Sequence, residues 1–267
     1  MNTLNHIAFI MDGNGRWGLR KKKNRNYGHL KGVETVKKIV QASIEYKIPI
    51  LTFYVFSSEN WKRPKTEINY LFFLVKSYFE KEITNLSQQG IRINIIGRIK
   101  NLPNDIRQIF LKTENRTKNN NKIVVNLAIN YGSKNEMIDT FRKIKLRKIN
   151  QKNFENNLNL KSPFPDILIR TGGYNRLSNF LLWQLAYTEI FFLKKLWPDF
   201  NNKDLINIIK KFLIKYPNVK SKKQIGKGNF NKRRYPKDSQ LDINKSIKQQ
   251  FNHLRINDNE LYPSFFY

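Results

Sequence analysis

HIAFIMDGNGRWG, residues His6–Gly18, joins an apolar run to a polar, glycine-rich turn. The run His6–Met11 does not alternate between apolar and polar residues, which is typical of a strand buried on both faces of a parallel sheet. Gly13, Gly15 and Gly18 follow with the spacing G-x-G-x-x-G, which dinucleotide-binding loops share. The segment therefore predicts a buried strand whose carboxyl end carries a loop that can approach a phosphate closely.

The same change from apolar run to polar turn recurs along the chain. Six runs are predicted as strands: His6–Met11, Ile50–Phe56, Ile91–Gly97, Ile123–Ile129, Asp166–Arg170 and Glu189–Leu193. Four intervening segments show helical patterns: Gly28–Lys47, Thr66–Gln89, Asn104–Lys118 and Lys134–Lys148. This alternation predicts an α/β fold with a mostly parallel central sheet of about six strands flanked by helices. Ligands of such sheets bind at the carboxyl ends of the strands.

Composition narrows the class of protein and leaves its partner open. The chain has 267 residues, enough for a substantial core, and no cysteine, which excludes disulfides, thiolate metal sites and cysteine nucleophiles. No apolar run reaches the roughly 18 residues of a membrane span, and we expect a cytoplasmic protein. Fifty Lys and Arg oppose twenty Asp and Glu, a net charge of +30 that attracts nucleic acid, anionic lipid and small diphosphates alike.

The first loop fits a diphosphate better than a nucleotide. A dinucleotide loop opens directly into a helix, whereas the pattern here predicts a helix only from about Gly28, and Glu34 falls inside that helix instead of beyond a second strand. Asp12 supplies a carboxylate for Mg²⁺, Arg16 can fork onto phosphate oxygens, and Trp17 offers an apolar wall. The third glycine is not needed for this role. A glycine-rich turn capped by Asp12 remains the simpler alternative.

Two further turns carry cations at the ends of predicted strands. FSSENWKRP, residues 56–64, supplies two hydroxyls, an amide, an indole and two cations. RTGGYNRLSNFLLWQLAYTE, residues 170–189, supplies Arg170, Arg176 and Ser178, followed by an apolar helix that ends near Glu189. Across three strand ends the site would hold at least four arginines, enough to bind two diphosphates together. These residues indicate a reaction between two diphosphate esters.

These segments resemble the signature segments of the cis-prenyltransferases. The resemblance rests on HIAFIMDGNGRW, YGHLKG, FSSENWKRP, NLAINYG, RTGGYNRLSNFLLWQLAYTE and LWPDF, which occur in order over roughly Leu4–Tyr216. It implies Mg²⁺-dependent, head-to-tail condensation of isopentenyl diphosphate onto an allylic diphosphate such as farnesyl diphosphate, with a cis double bond formed at each step. It also implies a homodimer, and a hydrophobic tunnel for a long polyprenyl product such as undecaprenyl diphosphate, a lipid-carrier precursor for cell-wall synthesis.

The resemblance assigns a role to each matching position. Asp12 resembles the catalytic aspartate that binds Mg²⁺. Asn60 resembles the residue assigned to proton removal, although an amide is a very weak base and we favour a positioning role for it. The loop that cradles the allylic diphosphate is matched by Gly13, Asn14, Gly15 and Arg16. Further substrate contacts are matched by Trp17, Arg25, His29, Ser57, Ser58, Glu59, Trp61 and Arg63. The isopentenyl diphosphate site is matched by Arg170, Arg176, Leu177 and Ser178. Glu189 resembles a second metal ligand, one that can act across the dimer.

One face of the predicted helix Thr66–Gln89 is a candidate wall for the tunnel. That face carries Ile68, Leu71, Phe72, Val75 and Phe79. The apolar stripe is wider than a single core contact requires, because Phe73 and Leu74 beside it are apolar too. A tunnel wall explains this width, and core packing alone explains it equally well.

The chain also departs from the family pattern. Family members commonly end with an arginine-rich segment that includes Arg-Arg-Phe-Gly, whereas the nearest stretch here is KSKKQIGKG, and lysine cannot form the bidentate fork. We therefore predict a catalytic domain over residues 1–218 and a basic extension of unknown role over residues 219–267.

Other functions stay open at this point. They are a cis-prenyltransferase of different product length, a noncatalytic partner subunit on the same fold, and a basic nucleic-acid-binding protein. The last predicts strongly salt-dependent binding and no turnover, and we expect no specific nucleic-acid partner. The basic surface also leaves peripheral contact with anionic membranes open.

Overall fold

The computed structural model describes residues 4–144 and 149–215. All six predicted strands form, with these bounds: β1 His6–Ile10, β2 Ile50–Ser57, β3 Ile91–Ile96, β4 Ile123–Tyr131, β5 Ile167–Arg170 and β6 Glu189–Phe192. They make one sheet in the order β3-β4-β2-β1-β5-β6, and every neighbouring pair is parallel. The predicted α/β class with a parallel central sheet is confirmed.

Helices connect and cover these strands. Their bounds are α1 Asn14–Arg20, α2 Arg25–Glu45, α3 Lys65–Gln88, α4 Asn104–Thr117, α5 Ser133–Lys143, α6 Gln151–Asn157 and α7 Asn202–Lys215. The starts follow ordinary capping chemistry. The Asn24 side chain accepts the Tyr27 N–H at 2.9 Å at the start of α2, while Pro64 and Pro103 directly precede α3 and α4.

The two faces of the sheet are buried in different ways. Alternate residues of β1 point to opposite faces, so that Phe9 packs with Ile39, Phe53 and Trp197 under the helices. Ala8 and Ile10 face the other side, where the covering residues are mainly Phe180, Leu181 and Leu185. Both faces of β1 are buried, which is why inner strands such as this one read as continuous apolar runs in the sequence.

The loop after β1 differs from its prediction. A helix, α1, begins directly at Asn14, and Gly18 is needed to pack it against α2, because a Cβ on Gly18 would overlap the carbonyl oxygen of Asn24. A Cβ on Gly28 would likewise overlap the carbonyl oxygen of Asn14. The expectation that no helix starts here is wrong. Gly18, to which no role at a phosphate was assigned, has a packing role instead. The argument against a nucleotide then rests on Glu34 alone, which does lie inside α2.

The predicted apolar helix before Glu189 is also wrong. Residues 178–187 form successive turns. Ser178, Asn179 and Leu181 have φ of 51°, 62° and 45°, in the left-handed region that a helix cannot contain. Helices α6 and α7 form where none was predicted. The predicted extension 219–267, the KSKKQIGKG stretch and the segment 145–148 lie outside the described residues.

Strand order brings three loops together. Because β1 lies between β2 and β5, the carboxyl ends of these three strands are neighbours, and the residues that follow them share one edge of the sheet. Asp12 is held there by its backbone: its N–H donates to the Thr171 hydroxyl at 3.1 Å, and its carbonyl accepts the Trp197 N–H at 3.0 Å. In the described part of the chain, no helix is both long and apolar enough to cross a membrane.

Candidate active site

A cavity of about 730 Å³ opens at this edge of the sheet and continues between the sheet, α2 and α3. Fourteen of the predicted site residues line it: Asp12, Gly13, Asn14, Gly15, Arg16, Arg25, His29, Ser57, Glu59, Asn60, Arg63, Arg170, Arg176 and Ser178. They come from the ends of three adjacent strands and from α1 and α2. The fold therefore brings most of the predicted polar residues to one concave surface.

Asp12 lies between two guanidinium groups. Arg16 Nη2 donates to Asp12 Oδ1 at 3.0 Å, and Arg170 Nη2 donates to Asp12 Oδ2 at 3.0 Å. Arg16 also donates to the carbonyl of Gly172 at 2.8 Å, which ties α1 to the loop after β5. One carboxylate thus faces two cations, so the centre keeps a net positive charge that favours an anionic ligand.

Arg170 is the most enclosed of these cations, with a side chain only 3% exposed. Its Nη1 donates to Ser178 Oγ at 2.7 Å and to the carbonyl of Arg176, which fixes the loop after β5. Its Nε has no partner among the described residues although it is buried. Arg170 therefore organises the loop that carries the predicted isopentenyl diphosphate residues.

A second cluster surrounds Glu67 of α3, which the sequence motifs did not single out. Its carboxylate, 8% exposed, accepts hydrogen bonds from Arg25 Nε at 2.9 Å, Arg63 Nη1 at 3.0 Å and His29 Nε2 at 3.1 Å. Burial raises the pKa of Glu67, but the hydrogen bonds from Arg25 and His29 and the nearby charges of Arg63 and Arg25 outweigh it and lower the pKa to about 2. Glu67 is ionised and holds three predicted substrate contacts in place.

His29 is neutral in this environment. Burial lowers its pKa, and the hydrogen bond to Glu67 only partly offsets that effect. Because a carboxylate is an acceptor, Nε2 carries the proton of the neutral ring, and Nδ1 is left unprotonated.

Whereas the residues around Asp12 and Glu67 contact charged groups, Asn60 caps a short helix. Its Oδ1 accepts the backbone N–H of Ser57 at 3.2 Å, and the Ser57 side chain accepts in return from the Asn60 backbone, a reciprocal cap of the short 3₁₀ helix Ser58–Lys62. Asn179, another residue that the motifs did not single out, lines the cavity and donates to Glu59 Oε1 at 2.9 Å. The loop after β5 is therefore joined to the loop after β2 as well as to α1.

Five predicted residues do not line this cavity. The Trp17 indole donates to Asp199 Oδ1 at 2.6 Å and stacks on Tyr27, so the prediction that it walls the site is wrong. Ser58 and Trp61 face a separate, smaller cavity, and Leu177 packs on the face of the sheet that Phe180 covers.

Glu189 is the fifth, and it lies at the wrong end of its strand to meet Asp12 within one chain. It pairs with Ile167 at the amino end of β5, whereas Arg170 at the carboxyl end pairs with Ile10 of β1. Three residues along a strand correspond to about 10 Å. A metal site that used both acids would need a second copy of the chain.

The inner part of the cavity is apolar. Its lining includes Val33, Val36, Val55, Leu71, Leu74, Val75, Tyr78, Phe79, Leu127 and Ile129. From the predicted tunnel face, Leu71, Val75 and Phe79 line it, whereas Ile68 and Phe72 are buried in the core and do not. One cavity thus joins a cationic end to a hydrocarbon-like interior.

The donors at the polar end suit a metal that arrives with its ligand. Asp12 offers the hard oxygens that Mg²⁺ prefers, and each oxygen keeps a lone pair beyond its bond to an arginine. Among the described residues no group of three or more His, Asp or Glu side chains forms a ready metal cage. Since Mg²⁺ is usually held by one or two carboxylates plus substrate phosphates, these residues fit it in that form.

Comparison with known proteins places the chain in a family. Residues 10–218 match the family model of the undecaprenyl diphosphate synthases. The isoprenyl transferase of Helicobacter pylori strain 26695 is 44% identical over 220 residues, which cover 79% of this chain and 94% of that protein. A Buchnera aphidicola ditrans,polycis-undecaprenyl-diphosphate synthase, described as specific for (2E,6E)-farnesyl diphosphate, is 41% identical over 80% of this chain and 90% of its own length.

Solved structures agree with this placement. The lavandulyl diphosphate synthase of Lavandula x intermedia, crystallised with dimethylallyl diphosphate, superposes with a TM-score of 0.75 at 32% identity and covers 78% of this chain and 94% of that chain. A probable undecaprenyl diphosphate synthase from Campylobacter jejuni gives a TM-score of 0.69 at 34% identity and covers 80% and 96%. The chain is a prenyltransferase and belongs to the undecaprenyl diphosphate synthase family, which is the cis-prenyltransferase family that its sequence motifs resemble.

Proposed function

We propose that this chain is a Mg²⁺-dependent enzyme that condenses isopentenyl diphosphate head-to-tail onto an allylic diphosphate and releases a long cis-polyprenyl diphosphate such as undecaprenyl diphosphate. The observation that carries the proposal is the two-part cavity, in which arginines and Asp12 at three strand ends adjoin an apolar interior between α2 and α3. An isoprenoid diphosphate has the same two parts. The substrate class is supported by one relative described as specific for farnesyl diphosphate and by another that was crystallised with dimethylallyl diphosphate.

The polar end has the groups that departure of pyrophosphate requires. When the allylic C–O bond breaks, negative charge develops on the leaving group, and Arg16, Arg25 and Arg63 line the cavity where they can stabilise it. Mg²⁺, held by Asp12 together with the diphosphate, would neutralise part of the same charge. Glu67 keeps Arg25 and Arg63 in position, so that little reorganisation is needed when the charge forms.

The second substrate then supplies the electrons for the new bond. The double bond of isopentenyl diphosphate attacks the allylic carbon, and a proton leaves to restore a double bond. Arg170, Arg176 and Ser178 would hold its diphosphate. Asn60 carries no basic group, and its Oδ1 already caps a helix, so we assign it a positioning role. The proton acceptors we propose are the released pyrophosphate and the unprotonated Nδ1 of His29.

The direct test is product formation. Purified protein is incubated with farnesyl diphosphate, radiolabelled isopentenyl diphosphate and Mg²⁺, and the product is sized. We expect a long polyprenyl diphosphate, and a loss of about 10² or more in kcat for Asp12→Asn, since removing a charge-stabilising group typically has that effect. Asp105→Asn, at an exposed acid on α4, is the control that should leave the rate unchanged. Absence of any product from the wild-type protein would refute the proposal.

We also propose that the active form is a homodimer. Strand β6 is an edge of the sheet, and Ile190 and Phe192 on it are exposed together with Tyr187, which is 98% exposed. An apolar, exposed sheet edge favours pairing with a second copy. This association would also bring Glu189 of one chain towards the site of another. Sedimentation equilibrium would give twice the chain mass for the wild-type protein, and a shift to monomer for Phe192→Lys.

A cytoplasmic enzyme that contacts anionic membranes at their surface is the location we propose. Arg20 at the end of α1 and Lys21, Lys22 and Lys23 directly after it are exposed in a row, next to Leu19, which is 55% exposed. Basic residues near a surface of anionic lipid each contribute about 1 kcal/mol. Flotation with phosphatidylglycerol vesicles should therefore recover the protein, and phosphatidylcholine vesicles should not. Recovery with neither would remove this part of the proposal.

A further inference from the structure

Tyr174 lies in the loop after β5, beside the polar end of the cavity, and none of the motifs gives it a role. Gly172 and Gly173 precede it with φ of 93° and 80°, a left-handed conformation that favours glycine. Their N–H groups donate to the carbonyls of Lys195 and Leu193, both at 2.8 Å. The backbone that carries the Tyr174 ring is therefore fixed before any ligand binds.

Three guanidinium groups surround this ring. The Cζ atoms of Arg176, Arg16 and Arg170 lie 4.5, 4.9 and 5.9 Å from its centroid. All three fall within the distance of about 6 Å at which a cation is attracted to an aromatic face. Arg16 belongs to α1, Arg170 ends β5, and Arg176 follows in the loop. One ring thus joins the cations expected at both diphosphates.

Electrostatic repulsion alone would move the three guanidinium groups around the Tyr174 ring apart. Asp12 pairs with Arg16 and Arg170, so a single carboxylate serves two cations. Within residues 4–144 and 149–215, Arg176 forms no ion pair, and its side chain is exposed. Repulsion from two like charges and hydration both favour movement of the Arg176 guanidinium into solvent, and the Tyr174 ring opposes that movement.

We propose that Tyr174 is a positioning residue, whose ring holds the guanidinium groups of Arg176 and Arg16 towards the two diphosphates before they bind. An aromatic face attracts a cation without occupying its N–H donors, which lie in the guanidinium plane and stay available to phosphate oxygens. A carboxylate in the same place would compete with the diphosphates for those donors. This inference rests on the proposed function for the identity of the diphosphates.

Kinetics of three variants test the ring. Loss of one exposed cation–π contact corresponds to about a two- to fivefold change in affinity. Of the two cations within 5 Å of the ring, Arg176 belongs to the predicted isopentenyl diphosphate site and Arg16 to the predicted allylic diphosphate site. We therefore expect Tyr174→Leu to raise KM for each of the two diphosphates about two- to fivefold, with kcat changed by less than about twofold. Tyr174→Phe keeps the ring and should retain the wild-type KM. Tyr46→Leu, at an exposed tyrosine after α2, is the control for removal of a surface ring.

Two measurements that do not need turnover keep the test independent of the proposed function. Ring currents should shift the side-chain proton signals of Arg176 upfield in the wild-type protein and in Tyr174→Phe, and the shift should disappear in Tyr174→Leu. Titration with inorganic pyrophosphate should give equal affinities for the wild-type protein and Tyr174→Phe, and a weaker affinity for Tyr174→Leu. An unchanged Arg176 signal and unchanged pyrophosphate affinity in Tyr174→Leu would overturn the inference, as would equal losses in Tyr174→Phe and Tyr174→Leu, which would point to the hydroxyl. Normal pyrophosphate results without product formation would refute the proposed reaction alone.

Discussion

Replacement of Glu67 by glutamine removes one charge from the centre of a buried cluster while keeping the size of the side chain. In the wild-type protein the carboxylate accepts from Arg25, Arg63 and His29. The amide of glutamine has one oxygen and brings two donors of its own, so at least one of the three groups loses its acceptor. Two guanidinium groups would then face each other without a counter-charge.

The size of the effect follows from the pKa of Glu67. Its fall from 4.5 to about 2 on folding corresponds to about 3 kcal/mol of stability above pH 4.5. Because the folded pKa is the lower one, this stabilisation is present at neutral pH and is lost as the pH falls from 4.5 towards 2. Near pH 4 about 1 kcal/mol of it has gone. Glutamine does not titrate, so the variant lacks this dependence.

Urea unfolding at pH 7 and pH 4 measures both quantities. We expect Glu67→Gln to lower the free energy of unfolding by about 2–3 kcal/mol at pH 7, and the difference from wild type to shrink by about 1 kcal/mol at pH 4. Glu34→Gln is the matched control, since Glu34 pairs with Lys31 on the exposed surface of α2 and should change stability by less than about 0.5 kcal/mol. Equal stability of Glu67→Gln and Glu34→Gln, or a difference that does not depend on pH, would refute this account of the cluster.

Three further changes test other parts of the molecule. His6 is fully buried, and burial lowers its pKa to about 4. The free energy of unfolding should therefore fall by about 3 kcal/mol as the pH drops from 6.5 to 4. Histidine NMR should show the lowered pKa of His6, and an ordinary pKa would contradict this prediction. Gly28→Ala, which forces a Cβ into the carbonyl oxygen of Asn14, should cost at least about 2 kcal/mol in urea unfolding, whereas exposed Gln41→Ala on the same helix should cost less than about 0.5. Val75→Phe fills the apolar interior and should shorten the sized product, whereas a product of wild-type length would exclude that wall from length control.

The sequence predicts the sheet well because its four inner strands, β4, β2, β1 and β5, are buried on both faces. Burial of this kind produces continuous apolar runs, which can be recognised from local composition alone. All six predicted runs are strands within two residues of their predicted ends. Helix α7 carries a comparable local mark, since Leu205, Ile208 and Phe212 are buried at helical spacing, so a longer scan of the same pattern finds it.

Tertiary contacts decide the elements that were predicted wrongly. Helix α1 has little apolar periodicity, and it is stabilised by close packing of Gly18 and Gly28 against backbone, which a sequence pattern does not display. The segment 178–187 has the apolar content of a helix. It instead places Phe180, Leu181 and Leu185 against the face of the sheet that Ala8 and Ile10 present, and three residues with positive φ make this possible. Local propensity and burial disagree there, and burial prevails.

The residues of the candidate site also divide into those that a sequence pattern can find and those that only tertiary contacts reveal. Groups at a strand end or just beyond it, such as Arg170 and Asp12, are recognisable because topology alone places them at the edge of the sheet. Glu67, Asn179 and Tyr174 act on other side chains, and their neighbours come from distant segments. For Glu67 one signal was available: it lies four residues after Arg63, the spacing of an ion pair on a helix. For Tyr174 there was none.

The cavity has its charged groups at one end only, and this has a consequence for how a chain would lengthen. If bonds form only among the arginines, every new five-carbon unit enters at the same fixed place, and the hydrocarbon already made must slide inward past Val36, Leu74 and Phe79 by one unit each time. Growth is then an extrusion away from stationary chemistry. In such an arrangement the length of the product is set by how far the apolar interior admits the end of the chain that was made first. No group that counts the additions is required.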